Sequence, residues 1–464
     1  MLKTKWLRLL ALLLALGLVA AACGDSDDDD AGDDASASAS ASASEPAETT
    51  EAPEETEAPA ETEAPAETEA PAETTEAPAG GGGADGILRF GGILPETGSL
   101  AFLGPPEFAG AELAEQTINE AGGVLGADVE WLPGDSGDNG DVANATVDRL
   151  LAEDVDAFIG AASSGVSLTV IDKITQAGVL HFSPANTSPA FTTYDDNGLY
   201  FRTAPSDVVQ GAALADIMLG DGAETVAYLV RNDSYGTGLL EFSKAPYEAG
   251  GGTVVYEAIY DPEAENFDAE IAALVEADPD AVVLIAFAET AELMVSLVEA
   301  GYGPSDVLVY GTDGNMGNST AQLVDDPTIF AGMRGTLPGV DVAGELEEFR
   351  DSLLAIDPEL IDFSYSAETF DAMIVTALAA EAAGSDDATV FAPFINDITK
   401  DGTVCTTFAE CRDLIAAGED IDYDGVSGPL EFQDAGEPTQ ASILILEFDE
   451  TGTIFVDGSV QGSI

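Results

Sequence analysis

From Ile87 onward, short apolar runs alternate with longer stretches in which apolar residues stand among small and acidic ones. Ile87-Leu-Arg-Phe-Gly-Gly-Ile-Leu94 is the first run, and Pro95 ends it. A run of this length predicts a buried strand. Phe108, Leu113 and Ile118 then punctuate the stretch to Ala121, and Gly122-Gly123 follows. That pattern predicts a helix and its stop. The alternation goes on with strands at 129–132, 157–160 and 179–182 and helices at 141–152 and 166–177. It then starts again. Helices at 208–219, 236–249, 267–277 and 291–300 alternate with strands at 225–230, 253–259, 281–287 and 307–310. Such alternation predicts parallel sheets covered on both faces, because each parallel crossover lays a helix over the sheet. Two successive sets predict an α/β fold of two Rossmann-like lobes. Open sheets of this kind bind ligands at the carboxyl ends of their strands. Two such lobes facing one another frame a cleft that hinges shut. The expected division is 86–205 plus about 335–444 for lobe 1, and 206–334 plus about 445–464 for lobe 2.

The chain before Ile87 follows neither period. Lys3, Lys5 and Arg8 precede an apolar run from Leu9 to Ala22. This suits a signal peptide over 1–22 and is too short for an ordinary spanning helix. Ala20-Ala21-Ala22 before Cys23 resembles the lipobox of bacterial lipoproteins, in which the Cys is diacylated and becomes the mature N-terminus. Plain secretion with cleavage nearby is the other reading. Residues 24–84 hold no Lys, Arg or His. An Ala-Ser alternation leads into Glu57-Ala-Pro-Ala-Glu-Thr62, repeated from Glu63 and again from Glu69. Side chains larger than Ala that could repay ordering are almost absent, so 23–85 predicts a disordered, self-repelling acidic linker. With a lipid at one end and a folded body at the other, it is a leash on the outer side of the cytoplasmic membrane.

Composition narrows the function. Lys and Arg total 13, Asp and Glu total 88, and the net charge is −75. Nucleic-acid binding needs a basic face and is excluded; docking on an anionic bilayer is equally disfavoured. Contact with the membrane is expected through the N-terminal lipid only. Such a surface suits high ionic strength, where self-repulsion is screened. There is one His, His181, inside an apolar strand, which reads as a core residue. No nucleophile elbow, HExxH or phosphate loop occurs, so no enzyme is expected. Cys405 and Cys411 follow the lipid Cys, and an exported chain makes a disulfide the default, with metal binding the other reading. Asp420-Ile-Asp-Tyr-Asp-Gly425 followed by Glu431 fits a Ca²⁺ loop, and 409–417 would be its entering helix. Pro429 and the strand-like Leu430-Glu-Phe432 stand where the exiting helix belongs, so a solvated acidic turn is the alternative. No cofactor or resident metal is expected.

Seven further motifs share one resemblance. They are Leu94-Pro-Glu-Thr-Gly-Ser99, Glu107-Phe-Ala-Gly-Ala-Glu112 with Ile118-Asn-Glu-Ala-Gly-Gly123, and Ile159-Gly-Ala-Ala-Ser-Ser164. Phe182-Ser-Pro-Ala-Asn-Thr187, Asp233-Ser-Tyr-Gly-Thr-Gly238, Gly311-Thr-Asp-Gly314 and Gly425-Val-Ser-Gly-Pro429 complete the set. In this order they resemble the substrate-binding lipoproteins of branched-chain amino acid ABC transporters, of the leucine-binding type I periplasmic group. The resemblance implies a receptor that captures an amino acid, branched-chain or related, and delivers it to an ABC permease. Receptors for amides, urea or aromatic acids, or a ligand sensor, are same-fold alternatives.

The resemblance also implies site roles. Ser164, Ala185 and Thr187 match the turns that hold a ligand carboxylate, with helix N-termini adding partial positive charge. Asp313 matches the acid that takes the ammonium through charge-assisted bonds. Tyr235 matches an aromatic wall. Phe287 stands where well-known members carry Tyr, which makes that wall drier. Asn186 is more polar than the usual small residue, and Phe102 with Leu103 falls where the first loop leans over the ligand. Read without the family, Ser164 and Thr187 are candidate helix caps, Asp313 a turn residue, and Tyr235 ordinary packing.

Overall fold

The computed structural model describes residues 84–463. The readings for the signal segment, for Cys23 and for the linker up to residue 83 lie outside the described residues.

The first set runs β1 (Arg89–Ile93), α1 (Gly104–Glu120), β2 (Glu130–Leu132), α2 (Gly140–Leu151), β3 (Ala157–Gly160), α3 (Ser164–Gln176), β4 (Leu180–Ser183) and β5 (Tyr200–Arg202). Its five strands form one parallel sheet in the order β2-β1-β3-β4-β5. All four residues of β3 and of β4 are buried, as strands covered on both faces must be. A Cβ on Gly92 would sit 2.7 Å from the Trp131 ring, so glycine lets that ring lie against β1. α1 starts four residues before the expected Phe108, with Pro105 and Pro106 in its first turn. Proline reads as a break, yet its fixed φ suits a first helical turn, where its missing N–H costs nothing.

The second set runs α4 (Asp207–Asp221), β6 (Thr225–Arg231), α5 (Ser234–Ala249), β7 (Thr253–Tyr260), α6 (Asp268–Ala277), β8 (Ala281–Ile285), α7 (Thr290–Ala300), β9 (Leu308–Gly311), α8 (Asn318–Ala321) and β10 (Arg334–Pro338). The chain then returns to the first core with α9 (Glu347–Ile356), α10 (Ser366–Ala383), α11 (Ala388–Ile395), β11 (Thr403–Cys405), α12 (Phe408–Ala417), β12 (Ile421–Gly425) and β13 (Gly428–Pro429), the last three strands forming a small sheet of their own. β14 (Gln440–Phe448) and β15 (Ile454–Ser463) end it. The second sheet has the order β15-β14-β10-β9-β8-β6-β7. β14 and β15 pair antiparallel, so this sheet is mixed rather than wholly parallel.

Sheet membership moves the expected crossing points. Residues 335–338 and 440–444, placed with lobe 1 by the sequence pattern, belong to the second sheet. β10 extends the parallel array beside β9, and β14 uses the free edge of β10. The chain crosses after Pro338 and returns before Gln440.

α10 is buried without interruption from Ser366 to Ala380. Its small side chains let it lie against α1 and close the first core with Phe90, Ile118, Met373 and Leu378. Val147, Val170 and Ile93 fill the opposite face of that sheet. The second core centres on Tyr228, Leu229, Val283, Leu284 and Tyr310. Cys405 and Cys411 are bonded to each other across 5.4 Å between Cα atoms, and they tie β11 to α12. Residues 421–425 are a strand hydrogen-bonded to β11 and β13, so the acidic segment after Asp420 does not wrap as a Ca²⁺ loop. No cluster of three or more metal-ligating side chains occurs among the described residues. No helix among them is long and apolar enough to cross a membrane.

Candidate functional site

The carboxyl ends of both sheets meet in one cleft. From the first sheet come two turns. Ser163 caps α3 by accepting the Val166 N–H at 3.4 Å. The cap is therefore Ser163, and the Ser164 hydroxyl accepts the Ser188 N–H at 3.3 Å instead. After β4, the Ser183 hydroxyl accepts the N–H groups of Ala185 and Asn186 at 3.3 and 3.0 Å. This tight turn carries Ala185 to the cleft.

From the second sheet come Tyr235, Phe287 and Asp313. Asp313 stands in a turn after β9 that Asn315 braces: its amide donates to the carbonyl of Leu284 and to the Thr290 hydroxyl, both at 3.0 Å. Asp313 Oδ1 accepts from the Gln210 amide and the Tyr235 hydroxyl, both at 2.7 Å. Its Oδ2 accepts from the Tyr365 hydroxyl at 2.8 Å. Burial raises the Asp313 pKa, and the donors Gln210, Tyr235 and Tyr365 pull it back. Tyr235 and Phe287 stack with ring centres 5.3 Å apart. The Arg231 guanidinium lies 3.3 Å from the Phe287 ring centre. A Cβ on Gly314 would stand 2.7 Å from the Phe287 ring, so glycine is needed where that ring crosses the turn.

These parts enclose a small cavity lined by Leu100, Leu103, Ala162, Ser164, Ala185, Tyr235, Phe287, Asp313 and Tyr365. The cavity measures about 10 Å³. That is room for about one water, so the two sides are drawn together. Contacts across the cleft hold them: Ala288 N–H donates to the Ser99 carbonyl at 3.1 Å. The Ser188 hydroxyl donates to the Ser234 carbonyl at 3.0 Å. Asp138 sits between the sides, pushed up to about 6 by burial and held down by Ser99 and Arg231. A roomier hollow of about 390 Å³ lies behind Tyr365, among Met316, Leu337, Leu444 and Ile454.

Five of the sequence candidates, Ser164, Ala185, Tyr235, Phe287 and Asp313, line the one cavity. Three do not. Asn186 turns inward: its amide donates to the carbonyls of Ala161 and Ala162, both at 2.9 Å, and its Oδ1 accepts from Tyr200 at 2.9 Å. It ties the two turns of the first sheet together instead of facing the cleft. Thr187 is fully buried just behind the lining, and its hydroxyl has no partner among the described residues. Phe102 lies against Gly317, where a Cβ would meet its ring at 2.8 Å, while Leu100 and Leu103 of the same loop form the wall. Two contributors escaped the sequence reading. Tyr365 precedes α10 in a left-handed conformation, φ 60°, and Gln210 lies inside α4. Neither sits in a local motif. His181 is wholly buried, and its Nε2 lies 2.7 Å from the Gly160 carbonyl. Burial lowers its pKa to about 4, which keeps it neutral.

The chemistry is that of a binding cleft. An α-helix N-terminus and hydroxyls face a buried carboxylate across an apolar, partly aromatic wall. Comparison with known proteins gives the same fold. The family model for periplasmic binding proteins matches residues 88–453. The Leu/Ile/Val-binding protein homolog 3 of Brucella melitensis is 27% identical over 343 residues, 72% of this chain and 90% of the relative. The LivJ branched-chain amino acid transporter substrate-binding protein of Streptococcus pneumoniae, solved with isoleucine, superposes with a TM-score of 0.67 at 21% identity. It covers 82% of this chain and 100% of its own. An ABC transporter solute-binding protein of R. palustris, solved with benzoate, gives a TM-score of 0.65 at 19% identity, covering 82% and 98%. The strand order, the cleft between two sheets and a family match along nearly all of the described chain agree, and the chain belongs to the periplasmic binding protein family.

Proposed function

We propose that this chain is the extracytoplasmic solute-binding component of an ABC importer. It captures an amino acid, branched-chain or related, between its two sheets and delivers it to the permease, tethered to the membrane by a lipid on Cys23. The carrying observation is Asp313, a buried carboxylate at the end of β9 facing the α3 N-terminus across an apolar wall. A free amino acid presents the matching charges: an ammonium for Asp313 and a carboxylate for the Ser164 and Ala185 turns. Leu100, Leu103 and Phe287 would take an apolar side chain. The relatives support this ligand class, since one is a Leu/Ile/Val-binding protein homolog and one was solved with isoleucine.

The stacked Tyr235 and Phe287 favour a second reading, an aromatic acid, and one structural neighbour was solved with benzoate. A benzoate brings no donor to Asp313, so the first reading uses more of the site.

A thermal-shift screen against the amino acids and simple carboxylic acids separates the two. A ligand at 100 times its Kd adds about 2.7 kcal/mol of stability. Asp313→Ala should abolish the shift from every amino acid, because a desolvated ammonium is left unpaired. Undiminished amino acid binding by that variant would sink the assignment. Uptake of labelled ligand by cells with and without the gene tests delivery.

A further inference from the structure

The hollow behind Tyr365 is a cavity of its own, away from the cleft. Its volume of about 390 Å³ suits a small organic molecule. It lies where the chain crosses between the sheets after Pro338. Met316, Leu337, Val342, Leu444, Leu446 and Ile454 give it an apolar wall. Its charged lining is wholly acidic: Asp341, Asp362 and Glu368. None of the described residues that line it is Lys, Arg or His. Tyr365 borders both cavities, and its hydroxyl is taken on the cleft side by Asp313 at 2.8 Å.

The three acids differ in their partners. Asp362 is satisfied: its Oδ1 accepts the Asn318 N–H at 2.8 Å and its Oδ2 the Ser319 hydroxyl at 2.7 Å. Asp341 is half-buried, and its Oδ1 accepts the Gly344 N–H at 2.8 Å. Glu368 is only 4% exposed, and the one donor near its carboxylate is its own backbone N–H. A Cβ on Gly339, φ 120°, would stand 2.5 Å from Glu368 Oε1, so glycine after β10 makes room for this carboxylate beside the hollow. Glu107 is buried next to it, and neither of its carboxylate oxygens has a partner among the described residues. Asp371, on its other side, is engaged by the Tyr423 hydroxyl and the Ser427 N–H, both at 2.7 Å. The charges that act on Glu368 and Glu107 are therefore negative. Buried carboxylates without a counter-ion are costly. Glu368 keeps a proton as a result: burial pushes its pKa up to about 8, and the Asp371 charge adds to the rise. The hollow thus offers apolar room beside an acid that lacks a cation.

We infer that this hollow is a second ligand site, separate from the cleft, and that it takes an organic cation, a primary ammonium on a hydrocarbon body. The ammonium donates to the Glu368 carboxylate, and the hydrocarbon lies against Leu337, Leu444 and Ile454. On its arrival Glu368 gives its proton to solvent. One carboxyl group plus one ammonium then become one carboxylate beside that ammonium plus one proton in solvent, and no ligand bond changes. A neutral molecule of the same shape gains only the apolar wall, and an anion is repelled by the acidic lining. The net charge of −75 concentrates cations around the whole molecule. The inference does not depend on what the cleft holds.

Calorimetric titration of the purified protein at pH 8 tests this with hexylammonium, hexan-1-ol and hexanoate, which share a chain and differ in charge. Hexylammonium should bind, hexan-1-ol should bind about 10-fold more weakly or worse, and hexanoate should not bind. Glu368→Gln removes the charge with little change of shape and should weaken hexylammonium about 10- to 100-fold. Ile361 lines the hollow and is 47% exposed. Ile361→Arg therefore disturbs little packing and sets a fixed cation beside the acids. It should weaken hexylammonium about 10-fold, and it carries the test if Glu368→Gln does not fold. Undiminished hexylammonium binding in the folded variants puts the amine elsewhere and overturns the inference. Equal binding of hexan-1-ol overturns it as well, since the hollow would then read shape without charge. Silence from hexylammonium overturns it outright.

Discussion

Glu368 shows how a single buried group sets a pH response away from the cleft. Burial pushes its pKa up to about 8 from an ordinary 4.5, its own backbone N–H draws it down, and the Asp371 charge adds to the rise. Glu107, buried beside it without a partner among the described residues, is raised by burial and by the Glu368 charge. Between those two values the folded chain holds a proton that the unfolded chain has released. Stability is therefore highest below the lower value and falls as pH rises through the upper one. Glu368→Gln should flatten this slope, which urea midpoints at pH 5 and pH 8 will read; an unchanged slope would refute the account. Residues of this kind are invisible in the sequence, since nothing near Glu368 says it will be buried. The cleft residues differ in this respect. Ser164, Ala185, Tyr235 and Asp313 all sit in short motifs at strand ends, where an open α/β fold must put its ligand. Tyr365 and Gln210 arrive from elements distant in the chain and carry no such mark.

At the scale of elements, Asn186 shows why a polar residue beside two site residues need not face the ligand. Two carbonyls of the β3–α3 turn and the Tyr200 hydroxyl of β5 capture its side chain. Asn186→Ala should leave these groups unpaired and cost about 1–3 kcal/mol of stability, measured by chemical denaturation. Because the turns lose their tie, affinity should fall with it. A variant as stable as the parent but unable to bind would return Asn186 to the ligand. The disulfide between Cys405 and Cys411 closes a loop with a sequence separation of only 6. Its reduction should cost about 2 kcal/mol, seen as a lower unfolding midpoint with reductant. The period of apolar residues found nearly every strand and helix between Ile87 and Tyr310. It missed the start of α1, where two prolines occupy positions that a helix accepts only in its first turn.

For the whole molecule, 88 acidic against 13 basic residues means that the surface repels itself. The Debye length falls from about 10 Å at 0.1 M salt to about 3 Å at 1 M. The unfolding temperature should therefore rise over that range of NaCl. A fall would show that the ion pairs of Arg231 and Arg334 outweigh the repulsion. The ligand cavity responds at this scale too. It is narrow because two sheets are held together by contacts such as Ala288 to Ser99 and Ser188 to Ser234. Affinity thus includes the work of opening and reclosing these contacts.

The sequence by itself determined the two-sheet α/β plan and the positions of the strand-end turns, because period and turn chemistry are local properties. It also determined the charge, which composition alone sets. The tertiary structure decided where the chain crosses between sheets, since β10 and β14 are assigned by partners far away in sequence. It decided that Asn186 braces the turns while Tyr365 and Gln210 serve Asp313. Burial and hydrogen-bond geometry depend on which distant segments meet, and no local pattern encodes that meeting.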